Sequence, residues 1–188
     1  MKLELTIPEI LDEAEAITRD VQSTFGLLNA EQLNWKPDAD RWSVAQCLDH
    51  LISANREMLP AFDTTINGTK RTTFFERVPF LPGLFGRMMV KVVAPDGKRK
   101  LKATPAAAPS ASALDPRIVE QFVAHQQEVI GKMKAIQNLN PATIVMTSPF
   151  AGFITYSLLD ACRIIVVHER RHFQQAQRVM AMDGLPKL

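Results

Sequence analysis

Residues 155–179, TYSLLDACRIIVVHERRHFQQAQRV, decide how the rest of the chain is read. Leu159, Cys162, Ile165, His168, His172, Ala176 and Val179 recur at helical intervals, so a long amphipathic helix is expected, ending near Gly184-Leu185-Pro186. Two of the residues on its inward face are histidines, four positions apart. One turn of helix stacks such a pair with Cβ atoms about 5–6 Å apart, close enough for two imidazoles to converge on one metal ion.

His168-Glu169-Arg170-Arg171-His172 also matches H-E-x-x-H, in which a zinc protease uses both histidines as ligands and the glutamate as general base. That reading lacks a third ligand. After His172 the chain contains no further histidine, and Asp183 is its only acid. Two arginines inside the motif would also repel a cation unless both side chains point outward.

Three more long helices are legible upstream. Thr6 and Glu9 have capping-box spacing, and Ile10, Ala14, Ile17, Val21, Phe25 and Leu28 follow with helical period, which predicts a first helix from about Pro8 to Leu28. Ser43 and Gln46 form a second capping box ahead of Val44, Leu48, Leu51 and Ile52, so a second helix starts there, with Pro60 expected to kink it or end it early. Asp115-Pro116 opens a third, with Val119, Phe122, Val129, Met133 and Ile136 on its buried face and Asn138 to Pro141 closing it. No stretch alternates convincingly enough to predict a strand. Asn67 to Leu114 has no sustained periodicity and reads as a long crossover with short local turns; residues 103–113 are rich in Ala, Pro and Ser.

His50, between Leu48 and Leu51, is the best-placed upstream partner for the histidine pair. It lies about 10 Å along its helix from Ser43, whereas His168 and His172 lie about 20–25 Å from the start of theirs but only about 15–20 Å from its end. These depths agree better if the second and fourth helices are antiparallel. An up-down-down-up bundle makes them so, and it demands a long connection between helices two and three, which Asn67 to Leu114 supplies. The expected fold is therefore an all-α four-helix bundle of up-down-down-up order, a single domain over residues 1–188. The expected metal ligands are His50, His168 and His172.

Leu33-Asn34-Trp35-Lys36-Pro37-Asp38, Trp42-Ser43-Val44-Ala45-Gln46 through His50-Leu51, and His168-Glu169-Arg170-Arg171-His172 with Gln175 one turn on, resemble the DinB-like superfamily over nearly the whole chain. The resemblance implies a four-helix bundle of the same up-down-down-up order. It also implies one histidine on helix two and an H-x-x-x-H pair on helix four holding a divalent metal, at positions matching His50, His168 and His172. The superfamily includes thiol S-transferases, thiol-dependent isomerases and many members without an assigned activity. The segment after helix two is longer and more basic here than in the commoner pattern, and homodimers are what the resemblance allows.

Three neutral imidazoles would leave a divalent ion its full charge and open positions for water or substrate, the arrangement of a catalytic site. Such an ion could bring the pKa of water or a thiol toward neutrality. The expected function is a metal-dependent thiol S-transferase or hydrolase acting on a small electrophile, with a low-molecular-weight thiol as a candidate partner. The alternative is a non-catalytic metal-binding stress-response or interaction protein. Imidazole ligands suit zinc, nickel and iron alike, as well as copper, so the metal stays open.

Other polar residues have plainer readings beside functional ones. Glu169 is a candidate to accept a hydrogen bond from a ligand or to orient metal-bound water, and His125 to be a fourth ligand or a donor to one. The simpler expectations are a surface acid paired with Arg170, Arg171 or a neighbouring helix, and a core histidine with a hydrogen-bond partner. Asp49, beside His50, is as ambiguous as Glu169. Trp42 most simply covers the end of the bundle, with a place in the pocket wall second.

Composition sets the outer bounds. The chain has 188 residues, 46% hydrophobic and 22% charged, enough for one domain with a core. A net charge of +2 gives no general argument for nucleic acid, although Asn67 to Lys102 carries nine basic residues against Glu76 and Asp96. Those positives are spread out with no recognised binding motif, so a solvated loop is expected there, guiding an anionic thiol or forming a dimer contact, with neither a nucleic-acid nor a membrane partner. Cys47 and Cys162 read as inert core thiols in a reducing compartment. Neither a signal peptide nor a run of roughly 20 apolar residues is visible, so the expected location is the cytoplasm.

Overall fold

The computed structural model describes residues 2–95, 108–109 and 113–187. Most of the Ala/Pro/Ser-rich segment, and Asp96, Lys98, Arg99, Lys100 and Lys102 of the basic crossover, lie outside the described residues. The described chain is mostly helical. It comprises α1 (Ile7–Phe25), α2 (Ala30–Asn34), α3 (Val44–Ile66), α4 (Leu81–Val93), α5 (Ile118–Ile136) and α6 (Leu158–Met180), with short 3-10 turns at Phe75–Arg77 and Gln137–Leu139. A two-stranded hairpin, β1 (Val145–Ser148) and β2 (Ala151–Ser157), precedes α6.

The caps that mark helix starts in the sequence are formed. In α3 the Gln46 backbone N–H donates to Ser43 Oγ at 3.1 Å and the Ser43 N–H to Gln46 Oε1 at 3.2 Å. In α1 the Thr6 N–H donates to Glu9 Oε2 at 2.7 Å. Each reciprocal pair satisfies amide groups that the first helical turn leaves without partners. Several boundaries differ from the sequence expectation: α1 ends at Phe25 rather than Leu28, α5 starts at Ile118 rather than at Asp115-Pro116, and α6 ends at Met180, short of Gly184. α3 continues through Pro60 to Ile66, so the proline does not end it early, and α6 begins at Leu158 with Ser157 accepting from the Asp160 N–H at 3.0 Å.

The hairpin corrects the expectation of no strands. Val145 lies opposite Ser157 and Met146 opposite Tyr156, with an irregularity after Thr147. Met146 and Tyr156 are almost fully buried and join the core. Four and seven residues with a register break offer too little alternation to recognise in sequence. α4 is the second correction: the crossover holds a helix of thirteen residues, which buries Gly86, Val90 and Val93.

Among the long helices, α1 and α3 each pack against both α5 and α6, and their apolar stripes fill one core that includes Ile17, Phe25, Leu48, Phe62, Phe122, Met133 and Ile165. Truncating an aromatic such as Phe122 in a core of this kind costs about 3–5 kcal/mol. Cys47 and Cys162 are buried free thiols, pushed up to about 12 by loss of water, as expected of inert core cysteines. Among the described residues no helix is long and apolar enough to cross a membrane.

Candidate metal centre

Core packing of α3 against α6 brings His50 to the pair on α6. His50 occupies the second turn after the Ser43 cap and is buried; His172 is buried and His168 half-buried. One ring nitrogen from each of the three lies within 4.8 Å of the others, an arrangement that could hold a metal ion. His50 Nε2 and His168 Nε2 are 3.2 Å apart, near the edge of about 3.3 Å expected between two imidazole nitrogens that share a tetrahedral ion at about 2.0 Å. The ring centroids are separated by 4.6–5.0 Å, each pair meeting edge to face.

Loss of water disfavours the charged form of both α6 imidazoles, and the neighbouring histidines and Arg171 add to the effect. His168 titrates well below the usual histidine range and His172 at about 3. Neutral imidazole is the metal-binding form. Nδ1 of His172 is buried without a hydrogen-bond partner, and three nitrogen donors suit a borderline divalent ion, so the residues present fit such an ion.

Both arginines of the motif have partners away from the rings. Arg170 spans Glu13 at 2.7 Å and Asp20 at 2.6 Å on α1, while Arg171 donates to the Val92 and Ala94 carbonyls at the end of α4. Arg171 thereby ties the crossover helix beside the cluster.

Glu169 is not the surface acid that the sequence suggests. It is fully buried, accepting from Asn55 Nδ2 at 2.7 Å and from Gln126 Nε2 at 3.0 Å. Burial raises its carboxyl from 4.5 to about 7, opposed by those two hydrogen bonds and by Arg170. Asn55 and Gln126 carry no motif that marks them in the sequence. Their signal is a carboxamide on the buried side of each helix, Asn55 between Leu51 and Met58 and Gln126 between Phe122 and Val129. His125 is buried but is not one of the clustered donors; its Nδ1 faces the Glu128 carboxylate at 3.7 Å, and its Nε2 makes no hydrogen bond.

Trp42 packs directly against two of the three histidines. Its indole stacks on His172 at 5.6 Å with 19° between planes and meets His50 at 4.9 Å. The aromatic face shields the cluster on that side and restricts how the two rings can turn.

Fold and site together define a mostly helical protein with a buried three-histidine cluster between two of its helices. A model of the DinB superfamily matches residues 13–176, and the chain belongs to that superfamily. Comparison with curated proteins and with solved structures gives no match.

Proposed function

We propose that His50, His168 and His172 hold a divalent metal ion with open coordination positions, and that the protein is a metal-dependent enzyme acting on a small electrophile by thiol transfer or hydrolysis. The observation that carries this reading is the convergence of three imidazole nitrogens on one buried point. When bound there, a dication supplies a Lewis acid able to favour the deprotonated form of water or a thiol. The protein's own residues do the rest: the Ser43 cap sets the start of the helix that carries His50, Trp42 restrains His50 and His172, and burial keeps the α6 rings unprotonated.

The reading includes an up-down-down-up order for α1, α3, α5 and α6. Several contacts support it. Leu5 and Arg163, Glu13 and Arg170, and Phe25 and Phe173 meet in the same chain order, as parallel α1 and α6 require. His50 with His168 and Trp42 with His172 place the beginning of α3 beside the later half of α6, as antiparallel helices do.

Elemental analysis of protein purified without chelator or nickel resin tests the ligand assignment. Near-stoichiometric metal, lost in His172→Ala while the fold survives, is the expected result; equal metal in both proteins defeats it. In cobalt-substituted protein, azide or a small thiol should change the visible spectrum. A spectrum indifferent to both would remove the open position and leave a structural metal.

A further inference from the structure

The described chain exposes nine large hydrophobic side chains, and six of them, Phe74, Phe75, Phe80, Leu84, Met88 and Phe153, lie on or beside three elements that pack on one another. These are the 3-10 turn, α4 and β2; Phe74 meets Phe75, and Phe85 meets Phe153. Leu84 and Met88, at 53% and 41% exposure, lie four apart on the outward side of α4, opposite the buried Gly86, Val90 and Val93, and Phe80, 76% exposed, stands immediately before the helix. Apolar side chains gathered this way mark an interaction surface, whereas scattered ones need no explanation.

Phe80 adds an independent observation. It precedes α4 with φ of 60°, in the left-handed region that a bulky side chain rarely adopts. The backbone is strained at a position whose ring is three-quarters exposed and so gains little from packing.

The charges around these side chains select the partner. Arg71, Arg77, Arg87 and Lys91 are all exposed and make no ion pair among the described residues, and α4 contains no acid. Among described residues 67–95 the one acid, Glu76, is largely buried and neutralised by Lys70 at 2.6 Å. A two-fold contact with a second copy would bring cations against cations. An aromatic and aliphatic surface flanked by arginine and lysine is the composition of a helix that lies in a lipid headgroup layer. We propose that this face, centred on Phe80, Leu84 and Met88, docks the protein on an anionic lipid surface without crossing it. That no helix among the described residues is long and apolar enough to cross a membrane is compatible with such docking, which departs from the expectation of no membrane partner.

Sedimentation of the full chain with vesicles tests this, comparing phosphatidylcholine alone with phosphatidylcholine containing about one third phosphatidylserine. The expected result is co-sedimentation with the anionic vesicles, suppressed by added salt. The pair Arg87→Gln and Lys91→Gln should weaken partition about 30-fold, with metal content unchanged. Phe80→Asn separates the surface role from a structural one: Asn tolerates the left-handed backbone, so the melting temperature should rise while partition falls roughly tenfold. Equal binding to both vesicle types, or anionic binding that neither variant alters, would overturn the proposal. So would a dimer in sedimentation velocity that Phe80→Asn dissociates, or tighter binding to duplex DNA lost in the same variants.

Discussion

Replacing Glu169 by Gln tests the electrostatics beneath the candidate centre. Glu169 is fully buried, and its carboxyl titrates at about 7 against an ordinary 4.5. Between those values the folded protein holds a proton that the unfolded chain releases, so this residue lowers stability as pH rises through the interval, by about 3 kcal/mol in full. Glutamine keeps the shape and removes the titration. Its amide can be accommodated if Gln126 rotates to offer Oε1, which has no partner in the wild-type arrangement. His172 acts with opposite sign: buried and titrating at about 3, it costs stability as pH falls below the ordinary histidine range. The informative quantity is therefore the difference between Glu169→Gln and wild type, in which the shared histidine contribution cancels. Urea unfolding of both proteins in chelator, at several values from about pH 4.5 to 8, should show the variant gaining about 3 kcal/mol relative to wild type across the range. A difference that stays constant with pH would refute the claim that Glu169 is buried and resists ionisation.

Other outcomes follow from single contacts. Gly86→Ala would place a methyl group on the Asp160 carboxylate, which Ser157 and Arg163 hold in place. The overlap should outweigh alanine's helix preference, costing about 1–3 kcal/mol in urea unfolding, and should speed proteolysis around α4; an increase in stability would contradict this docking. Ser43→Ala removes the acceptor for the Gln46 N–H and should cost about 1 kcal/mol by the same assay, and an unchanged midpoint would show that the cap does not matter. In metal-free protein the His172 ring should remain neutral in an imidazole nitrogen NMR titration down to about pH 4, because burial and its neighbours hold it near 3. An ordinary titration near 6.5 would show that the cluster is open to water.

The helix-forming stretches and the three histidines are legible in the sequence because their signals are local. A capping box needs only Ser43 and Gln46, a buried stripe needs only its period, and His168 and His172 share a face because a helix turns once in about 3.6 residues. His50 could be assigned as well, since depth along two helices is simple arithmetic once their relative direction is chosen. The hairpin, α4 and the environment of Glu169 have no such local signature. Strands of four and seven residues are held by each other and by the core beneath Met146 and Tyr156. α4 is positioned by contacts distant in sequence, from Asp160 against Gly86 and from Arg171 to its last carbonyls. Glu169 sits in a run of charges that looks like solvent-facing helix, and only the carboxamides of Asn55 and Gln126, brought in from α3 and α5, turn it into a buried acid. Sequence determined which residues could be ligands and on which helices they lie, because periodicity acts within a few turns. Tertiary packing decided what surrounds them, because burial and its effect on charge depend on side chains that meet only when distant helices close around one another.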